Sequence, residues 1–188
     1  MVRIRPAAQD DTAALADLAS RSWSDAFGDG VSSPDLTAEL EANRSVSYFT
    51  GALECQTILV AEADGVLLGY VQFGVVDIPD VDVRPGDQAL QRLYVDTAAQ
   101  GRGVGRRLFD AAMEHPRLAW AGRVFVTVWE QNERAVHLYE DAGFTRAGTT
   151  TFTTGSAVME DLVMMLDRSD QSRAAPARTA PHPPAPGR

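Results

Sequence analysis

The chain is poor in cysteine: Cys55 stands alone in 188 residues. A lone thiol excludes an internal disulfide and any metal cluster built on cysteines, and a reducing, cytoplasmic setting is the expectation that follows. Long apolar runs are missing too. The longest, such as 57–61 and 66–74, fall far short of the roughly 20 residues that a membrane-spanning helix needs. The opening MVRIRPAAQDD lacks the apolar centre of a secretory signal and turns acidic at once. No internal repeat is visible.

Positive charge is scarce and unevenly spread. The chain carries a formal net charge of −9. Residues 168–188 hold four Arg against one Asp, a net +3, which leaves −12 on residues 1–167. Such a body repels nucleic acid and anionic lipid and favours small cationic partners. The tail RAAPARTAPHPPAPGR combines Pro/Ala content with no apolar periodicity and reads as disordered. One folded domain over 1–167, followed by that tail, is therefore expected.

What is present falls into short alternating blocks. A strand over 2–5 is closed by Pro6. Asp10 and Asp11 offer an N-cap to a helix with Ala14, Leu15, Leu18 and Ala19 at helical spacing, expected to end near Gly28. Pro34 opens a second helix carrying Leu36 and Leu40. QTILVAEA and VLLGYVQFGVV read as strands joined by Asp64-Gly65, a strong hairpin signal. A stretch broken by Pro79 and Pro85 and dotted with Asp77, Asp80, Asp82 and Asp87 comes next. The strand over 89–95 leads into a glycine-rich stretch and a helix over 104–114 stopped by Pro116. RVFVTVW reads as a buried strand, and NERAVHLYEDAGF as a helix capped by Asn132 and stopped by Gly143. With two last strands around 149–154 and 162–166, the order is β-α-α-β-β-β-α-β-α-β-β, an α/β protein with a mixed sheet and helices packed on it.

The glycine-rich stretch Gln100-Gly101-Arg102-Gly103-Val104-Gly105 places glycines on alternate positions at a strand-to-helix junction. Bare backbone lets N–H groups approach an anion, and a helix N-terminus adds its dipole. Arg102, Arg106 and Arg107 bring positive charge to the same place. A P-loop is excluded, because no lysine sits in the stretch. A dinucleotide fingerprint wants its third glycine at position 106, where Arg106 stands, although Glu130 imitates the downstream acid of that motif.

Gln100, Gly103 and Gly105, after a strand ending in Tyr94-Val95, resemble the acetyl-CoA loop of the GCN5-related N-acetyltransferase (GNAT) superfamily. About thirty residues on, VWEQNERAVHLYEDAGF resembles that superfamily's second hallmark, through Asn132, Ala135, Tyr139, Gly143 and Phe144. The resemblance covers most of residues 1–167. It implies a central, mostly antiparallel twisted sheet of about six to seven strands with flanking helices. It also implies acetyl-CoA as co-substrate without a metal, and a primary amine as acceptor, attacked directly in a ternary complex. Main-chain N–H groups from Arg102 to Arg106, with Gly101 and Val104, are then expected on the pyrophosphate, and Leu93, Tyr94 and Val95 along the pantetheine arm. The Val95 N–H is expected to polarise the thioester carbonyl, Asn132 to contact the coenzyme arm, and the Tyr139 hydroxyl to protonate the departing thiolate. A small-molecule amine is the expected partner, with a homodimer as one option and neither nucleic acid nor membrane. Protein N-terminal or lysine acetylation and a non-catalytic acyl-CoA-binding module are the alternatives.

A finer resemblance links LQRLYV, the helix carrying Tyr139, and TFTTGSAVMEDLVMML to the spermidine/spermine-type bacterial members, through Phe152, Gly155 and Asp161 in that order. Ser156-Ala157-Val158-Met159 stand where those relatives are more polar. A polyamine acceptor would suit the acidic body.

Other readings of the same residues stay open. Tyr139 is equally a core aromatic, Asn132 a plain cap, and Trp129 an edge-packing residue or a substrate contact. His137, on another side of the Tyr139 helix, reads as a surface or packing residue and not a base; His115 and His182 carry no signal, and Cys55 reads as a small apolar filler. The general base is unassigned: the positions where relatives place a glutamate hold Thr127, Gln91 and Arg92. Glu130, Asp77, Asp80 and Asp82 remain, directly or through water, unless the aspartates simply form a solvated loop.

Overall fold

The structure, a computed structural model, describes residues 1–27, 31–79, 81–154 and 157–168. The expected ends near Gly28, the positions of Asp80, Gly155 and Ser156, and the tail beyond Arg168 lie outside the described residues.

Pro6 ends β1 (Arg3–Pro6), and a 3-10 turn through Asp10 and Asp11 feeds α1 (Thr12–Phe27). Ser32 caps α2 (Ser33–Arg44) by accepting the Asp35 N–H, with Pro34 in the first turn. The sequence reading missed the next element, α3 (Val46–Cys55). Ser45 both closes α2 and caps α3 through its bond from the Tyr48 N–H, so a single extended residue separates two helices. Only Phe49 and Ala52 of α3 are fully buried, too few to print a helical period on the sequence. Cys55, expected as a filler, is exposed at the end of α3.

β2 (Thr57–Ala63) and β3 (Val66–Gly74) form the expected hairpin. Asp64 and Gly65 both take positive φ, 52° and 78°, as a tight primed turn requires. β4 (Gln88–Val95), α4 (Val104–Glu114), a short α5 (Pro116–Ala119), β5 (Arg123–Trp129) and α6 (Glu133–Asp141) follow. The last two strands, β6 (Thr145–Thr154) and β7 (Ala157–Asp167), are longer than their patterns predicted. The reason is mutual pairing: β6 is an exposed edge whose threonines carry little apolar alternation.

The seven strands make one sheet in the order β1-β2-β3-β4-β5-β7-β6. All neighbours are antiparallel except β4 and β5. On one face Val71, Phe73, Val126 and Met164 of the sheet pack against Leu108 of α4 and Val136 and Tyr139 of α6; on the other Val60 and Tyr70 meet Leu15 and Leu18 of α1 and Phe49 of α3. A smaller apolar group, Ala89, Phe125 and Val163, lies under Val76, Ile78 and Val81 of the loop before β4. Asp87, which the sequence left as solvated loop, is instead buried and bonded to Arg123 at 2.6 Å and to the Arg84 N–H at 2.7 Å, anchoring that loop to β5.

β4 and β5 pair only from Gln88↔Val124 to Leu90↔Val126. Across β3, Gln72 faces Arg92 and Phe73 faces Leu90, which leaves Gln91 as an extra residue in β4. A bulge bends its strand and raises its twist. Here it falls where β4 leaves β5, so the sheet opens between its central strands. Among the described residues no helix is long and apolar enough to cross a membrane.

Candidate active site

The opening between β4 and β5 is part of a cleft of about 1020 Å³. Its first wall is the free edge of β4. The Asp96 N–H bonds the Leu68 carbonyl, toward β3. Successive residues of a strand present their main-chain groups to opposite edges, so those of Val95 face the cleft. The Gln100 side chain donates to the Val95 carbonyl at 3.3 Å, and among the described residues nothing takes the Val95 N–H. Gly69 makes this edge possible from behind: a Cβ there would stand 2.7 Å from the Tyr94 carbonyl oxygen.

The glycine-rich stretch closes one end of the cleft. Asp96 caps a 3-10 turn over Thr97–Ala99, after which Gly101 and Gly103 take φ of +76° and +75°. Left-handed backbone at both positions turns consecutive N–H groups toward one side, a concavity that suits an anion. Gly103 is the N-cap of α4 and has no side chain to cap it; the first intrahelical bond runs from the Arg107 N–H to its carbonyl. The N–H groups of the first turn are thus left for a ligand, and no heavy atom stands within 4 Å of a Cβ built on Gly101 or Gly103. The donor set and the space fit a pyrophosphate.

The arginines contribute unequally. Arg102 is exposed, Arg106 pairs with Asp110 at 2.8 Å, and Arg107 turns away to the Val2 carbonyl at 2.9 Å.

α6 supplies the second wall, through Asn132, Ala135, Leu138 and Tyr139. Asn132 caps the helix by accepting the Ala135 N–H at 3.2 Å. Tyr139 is only 4% exposed; its ring packs on Phe109 and Phe144, with centroids at 5.8 and 5.7 Å. Burial, helped by Tyr94, pushes its hydroxyl above the ordinary tyrosine range, so it keeps its proton at neutral pH.

The third wall was not legible in the motifs, because it comes from α1, α2 and α3. Trp23, Glu39, Asn43, Arg44 and Tyr48 line it. Arg44 is buried, pairs with Glu39 and lies over the Trp23 ring at 4.7 Å. Arg92 lies over Tyr48 at 4.4 Å and donates to the Asn43 carbonyl at 2.7 Å. Both guanidinium groups are therefore engaged within the wall. Beneath them Gln72, fully buried, donates to Tyr48 and Gln56. The fourth wall is the face of β5, β6 and β7 that carries Thr127, Trp129, Phe152 and Asp161.

The carboxylates singled out in the sequence divide. Asp77 lines the cleft and is exposed. Asp82 is exposed beside Arg84. Glu130 faces away, toward Arg146 at 3.5 Å, in a separate hollow with His137 and Glu140. No group of three His, Cys, Asp or Glu side chains suited to a metal occurs among the described residues.

Residues 13–144 match the model of the acetyltransferase (GNAT) family. The uncharacterized N-acetyltransferase of the pepI 3' region of Lactobacillus delbrueckii subsp. lactis is 27% identical over 166 residues, or 87% of this chain and 95% of that protein. The spermine/spermidine N(1)-acetyltransferase of Bacillus subtilis is 28% identical over 100 residues, or 53% of this chain and 66% of that protein. Among solved structures, the PaiA N-acetyltransferase of Thermoplasma acidophilum in complex with coenzyme A has a TM-score of 0.70 at 19% identity, covering 89% of this chain and 99% of that one. The yncA structure from Salmonella typhimurium, with acetyl-CoA, has a TM-score of 0.63 at 23% identity, over 89% and 94% of the two chains. At these identities the structural likeness is one of fold.

Proposed function

The chain belongs to the acetyltransferase (GNAT) family and is an acyltransferase, and from that premise we propose that it moves the acetyl group of acetyl-CoA to a primary amine of a small cationic acceptor. One observation carries the reading. A single cleft brings together a free strand-edge N–H at Val95, an uncapped glycine turn at the start of α4, and the protonated hydroxyl of Tyr139.

In this reading the turn from Gly101 to Arg106 holds the pyrophosphate through main-chain N–H groups. The amide-rich pantetheine arm lies along Leu93–Val95 and takes the place of a neighbouring strand where β5 has diverged, with Asn132 on its other side. The Val95 N–H then donates to the thioester oxygen and stabilises the negative charge that develops there.

The amine lone pair attacks the carbonyl carbon, the C–S bond breaks, and the thiolate takes the proton of the Tyr139 hydroxyl. Tyr139 regains a proton as the new amide nitrogen sheds one. The acceptor ammonium must first lose a proton to water.

A cationic acceptor is supported by the net −12 of residues 1–167, and by the activity that the Bacillus subtilis relative's name gives it. Calorimetric titration with acetyl-CoA and with NAD, followed by thiol release on adding amines, tests the proposal. Acetyl-CoA binding with amine-dependent thiol release is the expected result. Binding of NAD alone would overturn the reading, and acetyl-CoA binding without release to any amine would leave a binding module in its place.

A further inference from the structure

Asp161 has no part in the transfer chemistry above, yet the fold aims it into the same cleft. On β7 it stands opposite Trp129 of β5 and Thr150 of β6. Side chains alternate along a strand, so Asp161 shares its face with Thr127, Trp129 and Phe152, and all four line the cleft.

Its electrostatics differ from those of the other carboxylates there. Glu39 is paired with Arg44, Asp25 accepts the Thr97 hydroxyl at 3.0 Å, and Asp77 is open to water. Asp161 is part-buried and takes no hydrogen bond or ion pair from the described residues. Burial alone pushes its carboxyl above the usual carboxylate range. An uncompensated charge of this kind is costly to keep, and a cationic ligand would remove the cost.

Position says which cation. Paired strands lie about 4.8 Å apart, and β5 stands between β7 and the opening that the Val95 N–H faces. Asp161 is therefore at least about 10 Å, two strand spacings, from β4, and further where β5 has diverged from it. That is too far for the nitrogen that attacks the thioester, and suited to a second charge several ångströms further along the acceptor.

We propose that Asp161 receives a second ammonium group of the acceptor, which makes the substrate a diamine or polyamine and Asp161 the residue that selects it. The aromatic side chains of Trp129 and Phe152 on the same face suit the methylene chain and the cation. This inference rests on the acetyl-transfer reading of the site.

The test compares α,ω-diamines of three to six carbons with the n-alkylamines of the same lengths, at saturating acetyl-CoA. The wild-type protein should prefer the diamine. Asp161→Asn should raise the diamine KM about ten- to a hundred-fold, the scale of a charge-assisted hydrogen bond, with alkylamine constants and acetyl-CoA affinity within about two-fold. Asp161→Glu should recover part of the loss. Because the substitution removes an unpaired charge, the melting temperature should not fall, and acetyl-CoA binding by calorimetry confirms an intact site. An unchanged diamine KM, an equal rise for both amine classes, or a wild-type preference for alkylamines would overturn the assignment while leaving acetyl transfer in place. A wild-type protein that releases no thiol with any amine would instead overturn the underlying reading, and this one with it.

Discussion

Gly105 faces Val95 so closely that a Cβ built on Gly105 would stand 3.4 Å from Val95 Cγ2. The first turn of α4 is thereby seated against the end of β4, so the helix N-terminus and the free Val95 N–H are held in one frame. The two glycines of this turn serve different needs. Gly103 takes φ +75° and faces open space, whereas Gly105 lies in helical backbone and is limited by its neighbour.

Substitutions should separate those needs. Gly103→Ala forces a side chain into left-handed backbone, at roughly 1–2 kcal/mol, and should weaken acetyl-CoA binding about ten-fold. Gly105→Ala asks Val95 to give by a few tenths of an ångström and should cost less. Gly103→Glu and Gly105→Glu should both abolish binding, because a carboxylate then stands before the phosphate site. Calorimetric titration of the four variants decides; full affinity in both Glu variants would show the turn to be a plain connection.

At the other end of the domain, Arg168 docks. Its N–H donates to the Gly122 carbonyl at 2.7 Å, and its guanidinium reaches the carbonyls of Leu118 and Ala119 at 3.2 and 3.3 Å. The sequence reading placed Arg168 in the tail, and the structure moves it to the folded side. Removing 169–188 should leave the melting temperature and acetyl-CoA affinity unchanged. Removing Arg168 as well should lower the melting temperature by a few degrees, in line with about 1 kcal/mol per lost bond.

How much could be read beforehand follows from which contacts are local. Gly101, Gly103 and Asn132 act through backbone within a few residues of themselves, and their spacing is therefore visible in the chain. Tyr139 was visible only through its place on the Asn132 helix. Arg44, Tyr48 and Trp23 reach the cleft because α1 to α3 fold over β3 and β4, and nothing in their own neighbourhoods reports that. The opening of the sheet was hidden for the same reason. It depends on Gln91 being one residue too many against β3, which no single-strand pattern records. The third helix went unread because Phe49 and Ala52, its fully buried residues, print no helical period, and a single capping residue, Ser45, divides it from α2.

The buried pair Asp87–Arg123 makes a prediction in pH. Burial opposes the Asp87 charge, but the Arg123 guanidinium and the Arg84 N–H outweigh it and hold the carboxyl below the usual range. A carboxyl depressed in the folded state contributes stability above its unfolded value, near about 4, and loses it as pH falls through the folded value. The wild-type melting temperature should therefore drop on acidification below about pH 4, and Asp87→Asn should flatten that part of the profile. Arg123→Gln leaves a buried carboxylate without its paired cation and should destabilise by about 3–5 kcal/mol at pH 7. Differential scanning calorimetry from pH 3 to 8 checks both; an identical acid limb in Asp87→Asn would assign the loss to other carboxylates.

Tyr139 decides whether the cleft catalyses or merely binds. Tyr139→Phe keeps the ring that packs on Phe109 and Phe144 and removes only the hydroxyl. Stability should change little, because no protein hydrogen bond among the described residues depends on that oxygen. General acid catalysis is worth about 10² to 10⁴ in rate, and a thiolate is a good leaving group, so a loss of roughly ten- to a hundred-fold in kcat is expected. Acetyl-CoA affinity should hold within about three-fold, since the arm is gripped by backbone and not by this hydroxyl. The wild-type pH profile adds an independent check. An acid whose proton is retained by burial stays active through neutral pH, so kcat should not fall between about pH 7 and 9 for want of that proton. Unchanged turnover in Tyr139→Phe at saturating acetyl-CoA would place the thiolate's proton donor elsewhere and leave Tyr139 as a core aromatic at the edge of the cleft.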